Sequence, residues 1–201
     1  VTKKSKSPLS FHPIALIFGL LSFVSYLVEG AVGDWSALYL FEDKGILIEE
    51  AVMGVMLFNG TMCIGRLLGN RLGKHLTSKQ VVVGGYLLGS IAMGLIVFLP
   101  GHASMYTYLL LGISLAMIVP NLFSAMGEQN VIPMTQAVAT STMLGYMGIL
   151  MGPALIGFIA HGTSLTVAFI VLTTLLVVSA GIGKYAYHLM SKDCGLSEEQ
   201  I

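Results

Sequence analysis

Long apolar runs, sparse charge and a one-sided placement of lysine and arginine together predict an all-α integral membrane protein, a bundle of six transmembrane helices. Only 10% of the 201 residues are Asp, Glu, Lys or Arg, and the mean hydropathy is +0.85. A soluble chain carries about a quarter of charged residues, which its outer surface needs. A hydrocarbon core about 30 Å thick requires roughly 20 apolar residues at 1.5 Å rise each, and such stretches recur along the chain. Runs such as Leu109-Leu110-Leu111 do not alternate apolar and polar residues, which argues against transmembrane strands.

In chain order, residues 1–13 are expected to be a cytoplasmic linker, 14–190 the six-helix bundle and 191–201 a cytoplasmic tail. Val1 is followed by Lys3, Lys4 and Lys6, then by an apolar run longer than a signal-peptide core with no small-residue cleavage site. That pattern reads as the interior of a longer protein rather than a secretion signal. The spans are expected at 14–40, 47–68, 81–99, 106–126, 137–159 and 165–187. Arg66, Arg71, Lys74 and Lys79 surround the loop after the second span, and Lys184 and Lys192 lie at and beyond the end of the sixth. With six spans these clusters share one side with the N-terminal lysines, which the retention of basic residues in cytoplasmic loops makes the cytoplasmic side. The opposite side receives only Lys44, among Glu42, Asp43, Glu49 and Glu50, while its other loops carry His102 and His161. Both termini are therefore expected in the cytoplasm, with the loop at 127–136 neutral on the question.

Charges at membrane depth persist mainly where they face a cavity or a partner. Glu29 and Asp34 are the pair to explain, in the segment from Tyr26 to Tyr39 that also holds Gly30, Gly33 and Trp35. The glycines are expected to weaken the helix there, and burial to favour proton exchange at Glu29. Asp34 and Trp35 equally fit an outer interfacial anchor, where an indole rests with its polar edge in water. Asn59 in the second span and Asn121 after Pro120 in the fourth need partners in hydrocarbon, either neighbouring helices or a bound solute. Tyr26, Tyr146 and Gln129 are further candidates for one polar patch. Pro120 and Pro153 predict kinks in two helices, and Gly85/Gly89 and Gly148/Gly152 predict close helix contacts.

The sequence carries no phosphate-binding Walker loop, no Gly-x-Ser-x-Gly elbow and no His-Glu-x-x-His pair, and its histidines lie near predicted span ends. Neither an enzyme nor a metal or cofactor site is expected. Zero net charge and the lack of a long basic block give no case for nucleic acid. Cys63 and Cys194 do not suggest a disulfide framework.

Four segments resemble the major facilitator superfamily, in particular its fucose-permease-like branch: residues 29–40 (EGAVGDWSALYL), 58–69 (FNGTMCIGRLLG), 120–124 (PNLFS) and 145–153 (GYMGILMGP). Residues 65–74 are similar to that superfamily's cytoplasmic loop motif. Arg71 and Gly73 match it, Asn70 stands where an aspartate is usual, and Arg66 and Lys74 complete the basic set. The resemblance implies the C-terminal six-helix half of a transporter, in the bacterial inner membrane and partnered by a complementary N-terminal half. It implies a small solute, a sugar or another small organic molecule, carried with protons by alternating access. It assigns Arg66, Asn70, Arg71 and Lys74 to a gating loop, and makes Glu29, Asp34, Trp35, Asn59 and Asn121 candidates for the substrate or proton pathway. A membrane scaffold or assembly subunit, in which Glu29 and the amides serve only packing, is the competing reading.

Overall fold

A computed structural model of the chain describes residues 12–72 and 76–194, with the backbone alone at 70–72 and 193–194. Helix α1 (Pro13–Glu42) starts on a proline whose missing N–H is no loss at a helix N-terminus. Helix α2 (Ile48–Leu72) carries Glu49 and Glu50 in its first turn, where carboxylates oppose the helix dipole favourably. Helix α3 (Ser78–Phe98) opens on a capping box between Thr77 and Gln80. The fourth span comprises α4 (Gly101–Tyr106), α5 (Tyr108–Leu115) and α6 (Ile118–Glu128), and α7 (Met134–Gly162) and α8 (Leu165–Cys194) complete the bundle.

Six segments are long and apolar enough to cross a membrane: Pro13–Glu42, Ile48–Gly69, Ser78–Phe98, Gly101–Glu128, Met134–Gly162 and Leu165–Lys192. Each contains or closely overlaps one expected span. The ends differ by at most five residues, mostly as extensions into flanks that hydropathy alone truncates.

The two prolines act differently. Pro120 can offer no N–H to the carbonyl of Ala116 and its ring crowds it, and the helix is interrupted at Ala116 and Met117. Asn121 covers the break: its backbone N–H (3.2 Å) and its side-chain Nδ2 (2.8 Å) both donate to Met117 O. Pro153 instead lies inside an unbroken α7. Its residue four back, Ile149, loses a helical N–H partner, and Ile149 O packs against Gly30 of α1. The weakening expected at Gly30 and Gly33 likewise leaves α1 continuous. Gly30 serves as a place where a second helix comes close, so its missing side chain is used in packing.

α1 is the core helix, with 61% of its most apolar window buried, against 28% for the second span and 22% for the fifth. It packs most extensively on α7, and also on α2 and α8, while α3 packs on α8 and α5 on α2 and α3. Behind α1, Tyr86 of α3 donates to Leu21 O at 2.7 Å and pairs with Ser25 Oγ at 2.8 Å. At the loop between α1 and α2, Lys44 donates to Val97 O (2.6 Å) and Leu99 O (2.9 Å). It thereby caps the end of α3. Burial pushes its ammonium below the ordinary lysine value, and the nearby Asp43 carboxylate opposes that shift. This lysine, set among Glu42, Asp43, Glu49 and Glu50, has a structural task.

The turn at 129–133 is organised by Gln129, which is 3% exposed. Its Oε1 accepts from Val131 N and Ile132 N, and its Nε2 donates to Met126 O and Ile132 O. Gln129 is thus occupied within its own turn rather than in a polar patch with Glu29.

Candidate functional site: an ion pair on the open face of the bundle

Glu29 stands near the midpoint of α1. It is thirteen residues from the C-terminal end of α1 at Glu42, about 20 Å at helical rise, while Arg66 lies eighteen residues from the start of α2, about 27 Å down the antiparallel neighbour. An arginine side chain can span that offset of about 7 Å only by reaching toward the membrane centre. Arg66 does so: its Nη2 donates to Glu29 Oε2 at 3.0 Å and to Oε1 at 3.2 Å. The position that resembles a gating-loop arginine therefore sends its charge inward to the candidate carboxylate.

Exposure differs between the partners. The Arg66 side chain is 43% exposed and that of Glu29 21%. The guanidinium is the more accessible charge. Its Nη1 and Nε make no hydrogen bond among the described residues.

Asn59, Cys63 and Arg66 follow at i, i+4 and i+7 and are all exposed, so they form one stripe along α2. Asn59 Nδ2 donates to Val55 O of its own helix at 3.0 Å. On the other side of α1, Tyr146 of α7 stacks on Tyr26, with ring centroids 6.2 Å apart and an interplanar angle of 9°. Gly145 makes room for this pair, because a Cβ there would lie 2.7 Å from the Tyr26 ring. Tyr26 is also within electrostatic reach of Glu29 and Arg66. One face therefore presents the ion pair flanked by an amide and thiol stripe on α2 and an aromatic pair shared by α1 and α7.

The remaining candidates lie elsewhere. Asp34 is exposed, five residues beyond Glu29 and about 140° around the helix. Trp35 Nε1 donates to Pro153 O at 2.9 Å, tying the C-terminal halves of α1 and α7. Trp35 also lines a cavity of about 560 Å³ at the C-terminal ends of α1 and α7, with Leu38, Glu42, Asp43 and His161 among its walls. Asn121 caps the break in the fourth span. The backbones of Asn70 and Arg71 continue α2, but their side chains, and all of Lys74, lie outside the described residues. Among the described residues no cluster of three or more His, Cys, Asp or Glu could hold a metal ion.

Sequence reasoning had both members of the ion pair but did not join them. The sequence offered a carboxylate in one span and a guanidinium in the next, but Arg66 lies three residues from the end of its span, so its depth did not point to Glu29. Tyr86 with Ser25, and Lys44 on the end of α3, left no signal either, since their partners are backbone carbonyls or lie 61 residues away.

No protein-family model matches the chain. It is 41% identical over 168 residues to an uncharacterized MFS-type transporter of Yersinia pestis, covering 82% of this chain and 43% of that protein. To the membrane protein MosC of Rhizobium meliloti it is 30% identical over 170 residues, 83% of this chain and 42% of MosC. The chain spans less than half the length of the curated relatives it matches. Among solved structures, the Escherichia coli fucose:proton symporter FucP superposes with a TM-score of 0.75 at 16% identity, over 86% of this chain and 42% of FucP. The peptide transporter POT in complex with alafosfalin superposes with a TM-score of 0.73 at 15% identity, over 91% of this chain and 39% of POT. These two likenesses establish the fold, which is a half of the major facilitator architecture.

Proposed function

Because the chain is homologous to major facilitator superfamily transporters and folds as one six-helix half of theirs, we propose that it works as the C-terminal half of a proton-coupled transporter of a small organic solute. It would pair with a complementary six-helix half in the inner membrane, with both its termini in the cytoplasm, and the solute would be exposed alternately to either side of the membrane.

The observation that carries this reading is the Glu29–Arg66 pair on the least buried face, between the two spans that the bundle covers least. A part-exposed ion pair near mid-membrane is costly against lipid and reasonable against a water-filled cavity or a second protein surface. The face of α1, α2 and α7 is therefore assigned to the cavity between two halves. Glu29 is the group that takes up and releases the proton, and Arg66 holds the carboxylate in place between those events. Asn59 and Tyr146 line the wall. Arg71 and Lys74, with Asn70, form the cytoplasmic gate.

The test is uptake by cells expressing the full-length protein, with and without an inward proton gradient, over a panel of sugars and small organic acids. Proton-dependent uptake is expected, and Glu29→Gln is expected to abolish its response to the gradient. Solute-specific uptake that ignores both the gradient and Glu29→Gln would remove the proton from the reading. Absence of uptake across the panel would leave the chain as a scaffold.

A further inference from the structure

From the geometry of the ion pair we infer the class of solute: a small organic anion, recognised through its carboxylate by Arg66. This inference rests on the transporter reading above and narrows it.

Three observations converge. First, the accessible member of the pair is the cation, 43% exposed against 21% for Glu29. Second, a single nitrogen of Arg66 serves both carboxylate oxygens, at 3.0 and 3.2 Å, so the N–H groups of Nη1 and Nε stay available among the described residues. A guanidinium presents its donors in a planar fork that matches a carboxylate. Third, among the described residues the charged and titratable groups acting on Tyr26, one turn before Glu29, are Glu29, Arg66 and Tyr146, with no second carboxylate among them. From α6, which also packs on α1, the one carboxylate is Glu128 at its C-terminal end, on the side of Tyr187. Cys63 lies one turn from Arg66 on α2. From α3, Tyr86 faces α1 at Leu21 and Ser25, and from α8, Tyr187 faces it at Phe18. Asp34 is on a different side of α1.

Charge balance then defines the exchange. With Glu29 ionised, the pair is neutral and the guanidinium is satisfied. When Glu29 accepts a proton from solvent, its attraction for Arg66 weakens and an uncompensated cation remains at membrane depth. A carboxylate restores neutrality there: one proton and one monoanion enter together, and both leave when Glu29 reclaims Arg66. An uncharged solute offers no such compensation. The Tyr26–Tyr146 stack beside the pair offers the rest of the solute an aromatic surface.

The experiment uses proteoliposomes containing the full-length protein, an inward proton gradient, and matched probes that differ in one oxidised carbon: glucuronate and glucose, glycerate and glycerol, lactate and propane-1,2-diol. At least one carboxylate is expected to enter at least about tenfold faster than its uncharged counterpart, the discrimination that one lost charged hydrogen bond produces. Arg66→Gln should remove that preference, and Arg66→Lys, which keeps the charge without the fork, should retain part of it. Uncharged probes entering as fast as their carboxylates, or a preference unmoved by Arg66→Gln, would overturn the inference and leave the transporter reading intact. Uptake of no probe would overturn that reading as well.

Discussion

Arg66 and Glu29 differ in what each becomes when its partner is removed. A carboxylate left alone can take a proton and become neutral, whereas a guanidinium stays charged at any accessible pH. Glu29→Gln is therefore expected to destabilise the folded protein more than Arg66→Gln does, and the double variant should recover part of the loss. The difference should be about 1 kcal/mol, because both side chains are partly exposed and an exposed pair is worth much less than a buried one. Thermal unfolding of the four proteins in detergent measures it. Equal losses in the two single variants would refute this asymmetry, and a double variant losing the sum of the two would mean that the pair contributes no electrostatic coupling. The sequence marked Glu29 as a candidate because any carboxylate in an apolar run is conspicuous. It could not assign Arg66 to it, because hydropathy places a residue along a span and says nothing of which way a long side chain bends.

Two elements decide how the bundle is held and where it can bend. α1 and α7 approach closely along small residues: a Cβ at Gly152 would lie 2.5 Å from Leu27 O and one at Gly30 would lie 2.9 Å from Ile149 O. Backbone oxygens cannot move aside as a flexible side chain can. Gly152→Val is thus expected to cost about 1–3 kcal/mol by overpacking. Gly33, where an added Cβ meets nothing within 4 Å, is the control: Gly33→Ala should be neutral or stabilising by up to about 1 kcal/mol through helix propensity. Thermal unfolding in detergent reads both variants, and an unaffected Gly152→Val would refute tight α1–α7 packing. The fourth span poses a dynamic question. Pro120→Ala supplies an N–H able to reach Ala116 O and close the break at Ala116 and Met117. Uptake by the full-length protein is expected to slow several-fold while folded yield is maintained, because a continuous helix bends less readily. Unchanged uptake would make the break a static feature.

For the whole molecule, the uneven burial of the spans implies that something covers the open face. Cys63 lies on the exposed stripe of α2 beside Arg66 and reports what that is. In the full-length protein, with Cys194 and any cysteines outside this chain replaced, Cys63 is expected to react with a water-soluble maleimide, and protection by lipid or by a solid interface would contradict a watery cavity there. Much of the architecture was legible beforehand. Six spans follow from run length, because the bilayer sets one helix length for every crossing. A proline does not by itself decide a break, since α7 is unbroken at Pro153, but the hydrogen bond lost at Pro120 follows from it, because a missing N–H acts four residues upstream wherever the helix lies. Such effects are local or one-dimensional, and composition and spacing determine them without reference to the rest of the chain. Only the tertiary structure decided that Arg66 reaches Glu29, that Asn59 and Asn121 donate to their own helices, that Trp35 joins α1 to Pro153 of α7, and that Gly30 is a contact rather than a break. Each depends on which face of one helix meets which face of another, and in an apolar chain with few charges nearly every face is hydrophobic enough to pack, so periodicity cannot choose among them.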